Sequence, residues 1–258
     1  MTFVASDAVK AVIRNLDVIL KDNPQLKSIV EVLMPSIYIV GGFIRDSYLG
    51  NRVRDIDFMV DVDDKRLRDV VNNFRCLYAI NRHGGIKIYS GSSVVDIWSF
   101  DNNWAFKSNS VSYRDDSKLN SIAQGCFYNY DSLVIRLIDL RYNFKYFEDF
   151  CLTNKLDILK DNNYQARNPM QEANILRAFY VREKYKSDFS DKVKRYIFEE
   201  IVNIDLKGDV WANLKNTQEQ YYKYSNLDIE KIKREIQVII REMLSINPYI
   251  FDISHLLY

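Results

Sequence analysis

The sequence predicts an α+β fold in which a mixed sheet domain is followed by an all-helical domain. Short apolar segments bounded by glycine or proline fill the first part of the chain, as is typical of strands. After Tyr146 the apolar residues recur at helical spacing to the end of the chain. We therefore expect a sheet domain with N-terminal helices at 1–150 and a helical domain at 151–258.

The composition indicates a globular protein without a disulfide framework. The 258 residues are 47% hydrophobic, which suffices for a buried core, and the net charge of +1 gives no overall attraction to nucleic acid. Three widely spaced cysteines argue against disulfides or a zinc site, so we expect reduced thiols in a cytoplasmic protein. No apolar run reaches the roughly 18 residues that a membrane-spanning helix needs. No membrane partner is expected, and any RNA-binding surface must be local.

The individual elements are predicted from apolar periodicity and from residues that start or stop helices. Ser6 is a candidate cap for the first helix, and Pro35 follows the second. The predicted helices cover 6–21, 25–33, 43–49, 65–74, 170–186, 191–202 and 227–244. The predicted strands cover 36–40, 55–60, 76–80, 85–89, 93–98 and 133–140.

The most informative stretch joins an apolar strand, a double glycine and an Asp-x-Asp pair. The strand Ile37–Val40 leads into Gly41 and Gly42, and the pair that follows is Asp55 and Asp57. Because successive strand side chains alternate between faces, both carboxylates should project from one face. Two carboxylates so placed can hold two Mg²⁺ ions about 3.5–4 Å apart, the arrangement used in phosphoryl transfer.

The double glycine adds a candidate phosphate-binding element. Gly41 and Gly42 carry no Cβ, so their backbone N–H groups can approach a phosphate, and a helix N-terminus follows them. Arg45 would lie one turn into that helix, within reach of a phosphate or a sugar. An isolated Asp-x-Asp or Gly-Gly is usually structural, but the two together, each with its strand, are much harder to obtain by chance.

Neighbouring charged residues are expected to have other roles. At about 3.3 Å per residue, Asp61 would lie about 13 Å along the strand from Asp57, too far to share a metal. Asp63 or Asp64 is expected to cap the next helix. Lys87 alternates with apolar residues and so leaves the apolar face of its strand. A solvated lysine is favoured there over a phosphate contact.

Three segments of the chain resemble one enzyme family. Val40–Asp46 and Asp55–Asp57 are similar to Val-Gly-Gly-x-x-Arg-Asp followed by Asp-x-Asp, the pattern of the class II template-independent nucleotidyltransferases. This family includes bacterial poly(A) polymerases and CCA-adding tRNA nucleotidyltransferases. Gly84–Tyr89 with Val94–Trp98 resembles the hairpin of the family, and Ile175–Ala178 resembles the Ile-Leu-Arg-Ala of its neck helix.

The resemblance implies a fold, a metal and a set of site residues. The fold would be a nucleotidyltransferase (polymerase beta-like) head, or palm, domain at 1–150 and a neck-like helical domain at 151–258. The implied catalytic and metal-binding residues are Asp55, Asp57 and Asp96, holding two Mg²⁺ ions with Mn²⁺ as an alternative. The implied nucleotide-binding residues are Gly41, Gly42, Arg45 and Arg177.

The implied reaction is attack by an acceptor hydroxyl on the α-phosphorus of an NTP, with release of pyrophosphate. ATP is the first choice of NTP, and an RNA 3′ end, such as that of tRNA, is the first choice of acceptor. Gln124–Asn129 lacks the arginines and the aspartate of the Arg-Arg-Asp-Phe-Thr-x-Asn common in the family, and Glu-Asp-x-x-Arg is absent. A protein or small-molecule hydroxyl as acceptor, or a non-catalytic nucleotide- or RNA-binding module, therefore stay open as alternatives.

Overall fold

A computed structural model describes residues 3–53, 55–81, 84–90, 93–108, 111, 114–159, 171–223, 225, 227–246 and 254–257. The chain forms two compact units. The first comprises Met1–Leu152 and Leu159–Ala166, and the second comprises Thr153–Ile158 and Arg167–Tyr258. That 1–150 and 151–258 act as separate domains stays a prediction.

The first unit contains both helices and strands, and helices dominate the second. The strands are β1 Ile37–Val40, β2 Asp55–Val60, β3 Tyr78–Ile80, β4 Ile86–Ser90, β5 Ser93–Ser99, β6 Val134–Arg136, β7 Tyr142–Asn143, β8 Lys155–Leu156 and β9 Asp188–Phe189. The helices are α1 Ala5–Lys21, α2 Pro24–Leu33, α3 Gly42–Tyr48, α4 Asp64–Asn73, α5 Trp104–Lys107, α6 Lys118–Gly125, α7 Lys145–Thr153, α8 Gln171–Tyr185, α9 Asp191–Asp205, α10 Val210–Tyr221 and α11 Ile229–Ile246.

Seven strands of the first unit form one mixed sheet in the order β3-β4-β5-β2-β1-β6-β7. Strands β2 and β5 pair in parallel, and the other neighbouring pairs are antiparallel. The mixed sheet predicted from the sequence is therefore confirmed. The central position of β2 in this sheet matters for the site, because β2 carries the Asp-x-Asp pair between β1 and β5.

The two faces of the sheet differ in how they are covered. On one face Ile56, Phe58 and Val95 are fully buried. On the other face α6 covers one part, where Ile122 packs in a cluster with Met59 of β2. The remainder of this second face, towards β5 and β4, carries polar side chains that are partly exposed.

Three local predictions can be compared with the structure. Asp63 accepts a hydrogen bond from the Arg66 N–H at 2.7 Å and caps α4, as predicted. The predicted cap Ser6 is wrong, because the N-cap is Val4, whose N–H donates to the Tyr48 hydroxyl, and the helix already starts at Ala5.

The strand predicted at 133–140 is shorter than expected. It ends at Arg136 as β6, and the chain turns back into β7. Leu140 has a φ of 57°, in the left-handed region, and its N–H donates to the Arg136 carbonyl. The apolar run therefore contains a tight hairpin, which its composition does not reveal.

The second unit is built from α8 to α11 with a two-stranded parallel ladder, β8–β9. Helix α8 packs against α10, and α9 packs against α11. Fully buried apolar side chains fill these contacts, for example Ile175, Ile197, Leu214 and Ile236. Among the described residues, no helix combines the length and the apolar character needed to cross a bilayer.

Candidate active site

Asp57 and Asp96 lie side by side on the parallel strands β2 and β5. Their Cα positions are partners in the sheet register, and Asp55 precedes Asp57 by two residues. Side chains two apart on a strand, or opposite each other on neighbouring strands, share a face. The alternate residues Ile56 and Phe58 are fully buried on the other face. The structure thus brings Asp55, Asp57 and Asp96 to one face, and we call these three residues the carboxylate row.

Burial and neighbouring negative charges disfavour the ionised form of Asp57. This residue is half-buried, whereas Asp55 is exposed. Burial is the largest cause that raises the pKa of Asp57 to about 7. The negative charges of Asp96, Asp55 and Asp131 raise this pKa as well, and the positive charge of Lys87 lowers it. A further positive charge beside Asp57 would favour its ionised form.

The two carboxylate oxygens of Asp96 have different surroundings. Its Oδ2 lies 3.3 Å from the Lys87 Nζ. Its Oδ1 is buried and has no hydrogen-bond partner among the described residues. Burial raises the pKa of Asp96, while Lys87 lowers it. Lys87 leaves the apolar face of its strand and is partly exposed, as predicted, and it also pairs with Asp96, which was not predicted.

The chemistry of the carboxylate row fits a hard divalent cation. Carboxylate oxygens are the ligands that Mg²⁺ and Mn²⁺ favour, and the buried Oδ1 of Asp96 has no donor among the described residues. Within the described part of the chain, however, no three acidic, histidine or cysteine side chains converge into a ready metal-binding group. Asp96 instead directs Oδ2 towards Lys87. Metal binding by Asp55, Asp57 and Asp96 stays a prediction.

The double glycine begins directly beside the carboxylate row. Val40 is the sheet partner of Asp57, and Gly41 follows it. Gly41 has a φ of 74°, a conformation that favours glycine, and its N–H donates to the Leu133 carbonyl at 2.8 Å. This glycine is thus required by the turn itself, and its N–H is used within the protein. Nucleotide binding by Gly41 and Gly42 stays a prediction.

Arg45 lies in an internal network, with 5% of its surface exposed. Its guanidinium donates to Asp131 Oδ1 at 2.8 Å and to Asp46 Oδ2 at 3.3 Å. It also lies 4.2 Å from the centroid of the Tyr130 ring. We call these four residues the Arg45 network. Their charge-assisted contacts support a role in holding the turn after β1, and a nucleotide contact by Arg45 stays a prediction.

Arg177 lies on α8 of the second unit. It is half-buried, and its guanidinium is 5.8 Å from the centroid of the Tyr180 ring. Its predicted contact with the nucleotide stays a prediction.

Two participants in this region were missed from the sequence. Asp131 is separated from Arg45 by 86 positions, so no local pattern connects them. The pairing of Lys87 with Asp96 follows from the β4–β5 register, in which their Cα positions are partners. The signal that could have found this pair is a lysine and an aspartate facing outward on two strands of one hairpin.

A mixed sheet that carries an Asp-x-Asp strand beside a third acidic strand is the arrangement implied by the resemblance to the nucleotidyltransferases. Residues 37–123 match the family model described as the poly A polymerase head domain. The resemblance predicted from the sequence is thereby confirmed over residues 37–123, which are similar to the head domain of poly(A) polymerases. No curated protein sequence matches the chain significantly.

Solved structures similar to this chain support the same fold. One is a CCA-adding enzyme with ATP, with a TM-score of 0.60 and 16% identity over 93% of this chain and 55% of that one. Another is the Thermotoga maritima CCA-adding enzyme with tRNA, with a TM-score of 0.62, 15% identity and coverage of 94% and 56%. A tRNA nucleotidyltransferase with a primer tRNA and an ATP analogue has a TM-score of 0.56, 17% identity and coverage of 89% and 64%. The chain thus spans somewhat more than half the length of these proteins, and the predicted α+β fold is confirmed.

Proposed function

We propose that this chain is a template-independent nucleotidyltransferase that moves an NMP from an NTP to an acceptor hydroxyl and releases pyrophosphate. The observation that carries this proposal is the placement of Asp55, Asp57 and Asp96 on one face of neighbouring strands. The turn at Gly41 begins beside Asp57, which supports the proposal that phosphate binds next to the carboxylates.

Asp55, Asp57 and Asp96 would hold Mg²⁺ through their carboxylate oxygens. When bound, the metal supplies positive charge that stabilises the transferring phosphoryl group and lowers the pKa of the attacking hydroxyl. The chain itself contributes preformed negative charge at fixed positions. Because burial and like charges raise the pKa of Asp57 to about 7, a cation would favour its ionised form.

The reaction forms one P–O bond and breaks another. The acceptor oxygen bonds to the α-phosphorus, and the bond from this phosphorus to the oxygen that leads to the β-phosphate breaks. The electron pair of the broken bond leaves with pyrophosphate. We propose that Asp96 helps to remove the proton of the acceptor hydroxyl, through whichever of its carboxylate oxygens does not hold the metal. Burial raises the pKa of Asp96, which makes its carboxylate a better base than an ordinary aspartate.

On the nucleotide side, we assign the triphosphate contacts to Gly41, Gly42, Arg45 and Arg177, with ATP as the first choice of NTP. Gly42 is the better candidate for a phosphate contact of the two glycines, because the Gly41 N–H already donates to the Leu133 carbonyl. Similar structures are complexes with ATP and with CTP. These similarities support an NTP as ligand of this chain but do not select one.

We assign the acceptor to an RNA 3′ end. Two of the similar structures are complexes with tRNA. Within this chain, Tyr89 of β4 is 60% exposed and lies two residues from Lys87, on the face that also carries the carboxylate row. Exposed aromatic rings beside a cation stack on the bases of single-stranded nucleic acids. This ring supports an RNA acceptor over a protein or small-molecule hydroxyl.

The proposal is tested by label transfer with a matched charge control. The protein is incubated with each α-³²P-labelled NTP, Mg²⁺, and either total RNA or a protein and metabolite fraction. We expect label in RNA, and background label with Asp55→Asn/Asp57→Asn. Asp69→Asn, an exposed carboxylate on α4, should match the wild type.

The other outcomes decide between the alternatives. Label that appears in protein or small molecules and depends on Asp55 and Asp57 would retain the chemistry and replace the acceptor. Absence of any label that depends on these two residues would leave a non-catalytic binding module.

A further inference from the structure

Lys87 stands in line with two members of the carboxylate row. Its Cα is the sheet partner of the Asp96 Cα across β4 and β5, and Asp96 in turn is the partner of Asp57 across β5 and β2. Side chains at directly opposed positions share a face. One ammonium and two carboxylates therefore cross three neighbouring strands in a single row.

The ion pair fixes the orientation of the Asp96 carboxylate. Lys87 Nζ lies 3.3 Å from Oδ2, and the side chains are 35% and 13% exposed for Lys87 and Asp96 respectively. The second oxygen, Oδ1, is buried without a partner among the described residues. A buried carboxylate oxygen without a donor is costly. Lys87 therefore pairs with Oδ2 of Asp96, and Oδ1 is available to a different cation or to a proton.

Lys87 also contributes to the charge balance on the face of the sheet that carries the carboxylate row. Three carboxylates, Asp55, Asp57 and Asp96, share the face with this lysine. The charge of Lys87 lowers the pKa of both Asp57 and Asp96, opposing the effect of burial. The same charge must repel any divalent cation that binds at Asp96 Oδ1, because both are positive and less than about a nanometre apart.

We infer that Lys87 is a positioning residue that serves as the built-in counter-ion of the carboxylate row. It pairs with Asp96 when no divalent cation is bound, and it weakens the binding of that cation by like-charge repulsion. This inference rests on the proposed function, in which the carboxylate row binds metal. Its consequence is that the cation binds tightly when the negative triphosphate of an NTP arrives with it.

The inference is tested by Mn²⁺ titration of the full chain, followed by electron paramagnetic resonance at pH 8.5 without nucleotide. Removal of the like charge in Lys87→Met should tighten Mn²⁺ binding about tenfold. Lys87→Arg keeps the charge and should bind as the wild type does. Lys65→Met removes an exposed lysine from α4 and should also leave the affinity unchanged.

Thermal unfolding provides a readout that does not depend on activity. In EDTA, Lys87→Met should melt below the wild type, because Asp96 loses its partner in a half-buried position. Saturating Mn²⁺ should then raise the melting temperature more in Lys87→Met than in the wild type, since tighter binding stabilises the folded state more. Lys87→Gln, which retains a donor for Asp96, is measured in parallel in case the methionine variant does not fold.

The outcomes separate this inference from the proposed function. Equal or weaker Mn²⁺ binding by Lys87→Met and Lys87→Gln would overturn the counter-ion role alone. Mn²⁺ binding that is absent in both the wild type and Lys87→Met, or that persists in Asp55→Asn/Asp57→Asn, would overturn both. Tighter binding in the lysine variants, together with the larger thermal gain, would support the inference, since a purely structural lysine would not increase metal affinity when removed.

Discussion

The carboxylate row lies on the sheet and the Arg45 network lies on α3 and the turn before β6, and the two groups differ in how their charges are balanced. In the Arg45 network, a buried guanidinium is matched by Asp131, Asp46 and a ring face. In the carboxylate row, Lys87 pairs with Asp96 Oδ2, and Asp96 Oδ1 has no partner among the described residues. Paired charges stabilise one conformation, whereas an excess of one sign of charge favours binding of a further ion. The comparison therefore separates residues that build the site from residues that act in it.

The largest effect is expected from breaking the Arg45 network. Arg45→Ala leaves Asp131 and Asp46 without their buried cation, which should lower the free energy of unfolding by about 3–5 kcal/mol. Urea denaturation measures this loss. The double variant Arg45→Met/Asp131→Asn removes both charges, so its loss should be smaller than the sum of the two single losses.

A different outcome would assign Arg45 to the residues that act in the site and not to those that build it. If Arg45→Lys kept its stability but raised the KM for NTP, the guanidinium would contact the nucleotide, as the family resemblance implies. Equal stability of Arg45→Ala and the wild type would contradict the assignment of this residue to the scaffold.

A smaller effect, of opposite sign, is expected at Asp57. Its pKa is raised to about 7 in the folded protein, above its ordinary value of 3.8. The folded state therefore holds this proton more tightly, and the associated stability is present below pH 4 and is lost as the pH rises through about 7. In EDTA, Asp57→Asn should gain stability over the wild type, and this gain should grow by about 2 kcal/mol between pH 5 and pH 8.

Chemical denaturation at each pH measures this change, with Asp69→Asn as the control for loss of one negative charge. Excess Mn²⁺ should reverse the order at pH 8, because the wild type gains metal binding that Asp57→Asn lacks. A stability difference that does not change with pH would contradict the assignment of unbalanced charge to Asp57.

The carboxylate row could be predicted from the sequence because its geometry is local. The predicted strand 55–60 coincides with β2, and strand alternation alone places Asp55 and Asp57 on one face. The predicted hairpin strands at 85–89 and 93–98 differ from β4 and β5 by one residue at most at either end. Asp96 entered through the resemblance, and the β2–β5 register places it opposite Asp57.

The partners of these residues could not be predicted because they depend on tertiary packing. Arg45 meets Asp131 across 86 positions, and Lys87 meets Asp96 through a register that periodicity does not determine. The error at Ser6 has the same origin, because the Val4 N–H donates to the Tyr48 hydroxyl and the helix starts before the expected cap. Local patterns thus predicted where charge would lie, and the fold decided which charges would be neutralised.

The smallest effect is expected at Tyr89, which extends the comparison from metal to acceptor. Tyr89 is 60% exposed on β4, on the face of the carboxylate row. If a base of the acceptor stacks on this ring, Tyr89→Ala should raise the KM for an RNA acceptor about tenfold, as loss of one stacked base does. The KM for NTP should stay unchanged. Tyr89→Phe should retain wild-type values, because stacking needs the ring and not the hydroxyl.

Tyr142→Ala removes a ring that is 47% exposed at the opposite edge of the sheet and serves as the matched control. Equal acceptor KM values for Tyr89→Ala and the wild type would remove Tyr89 from the acceptor site, and with it the support that this ring gives to an RNA acceptor.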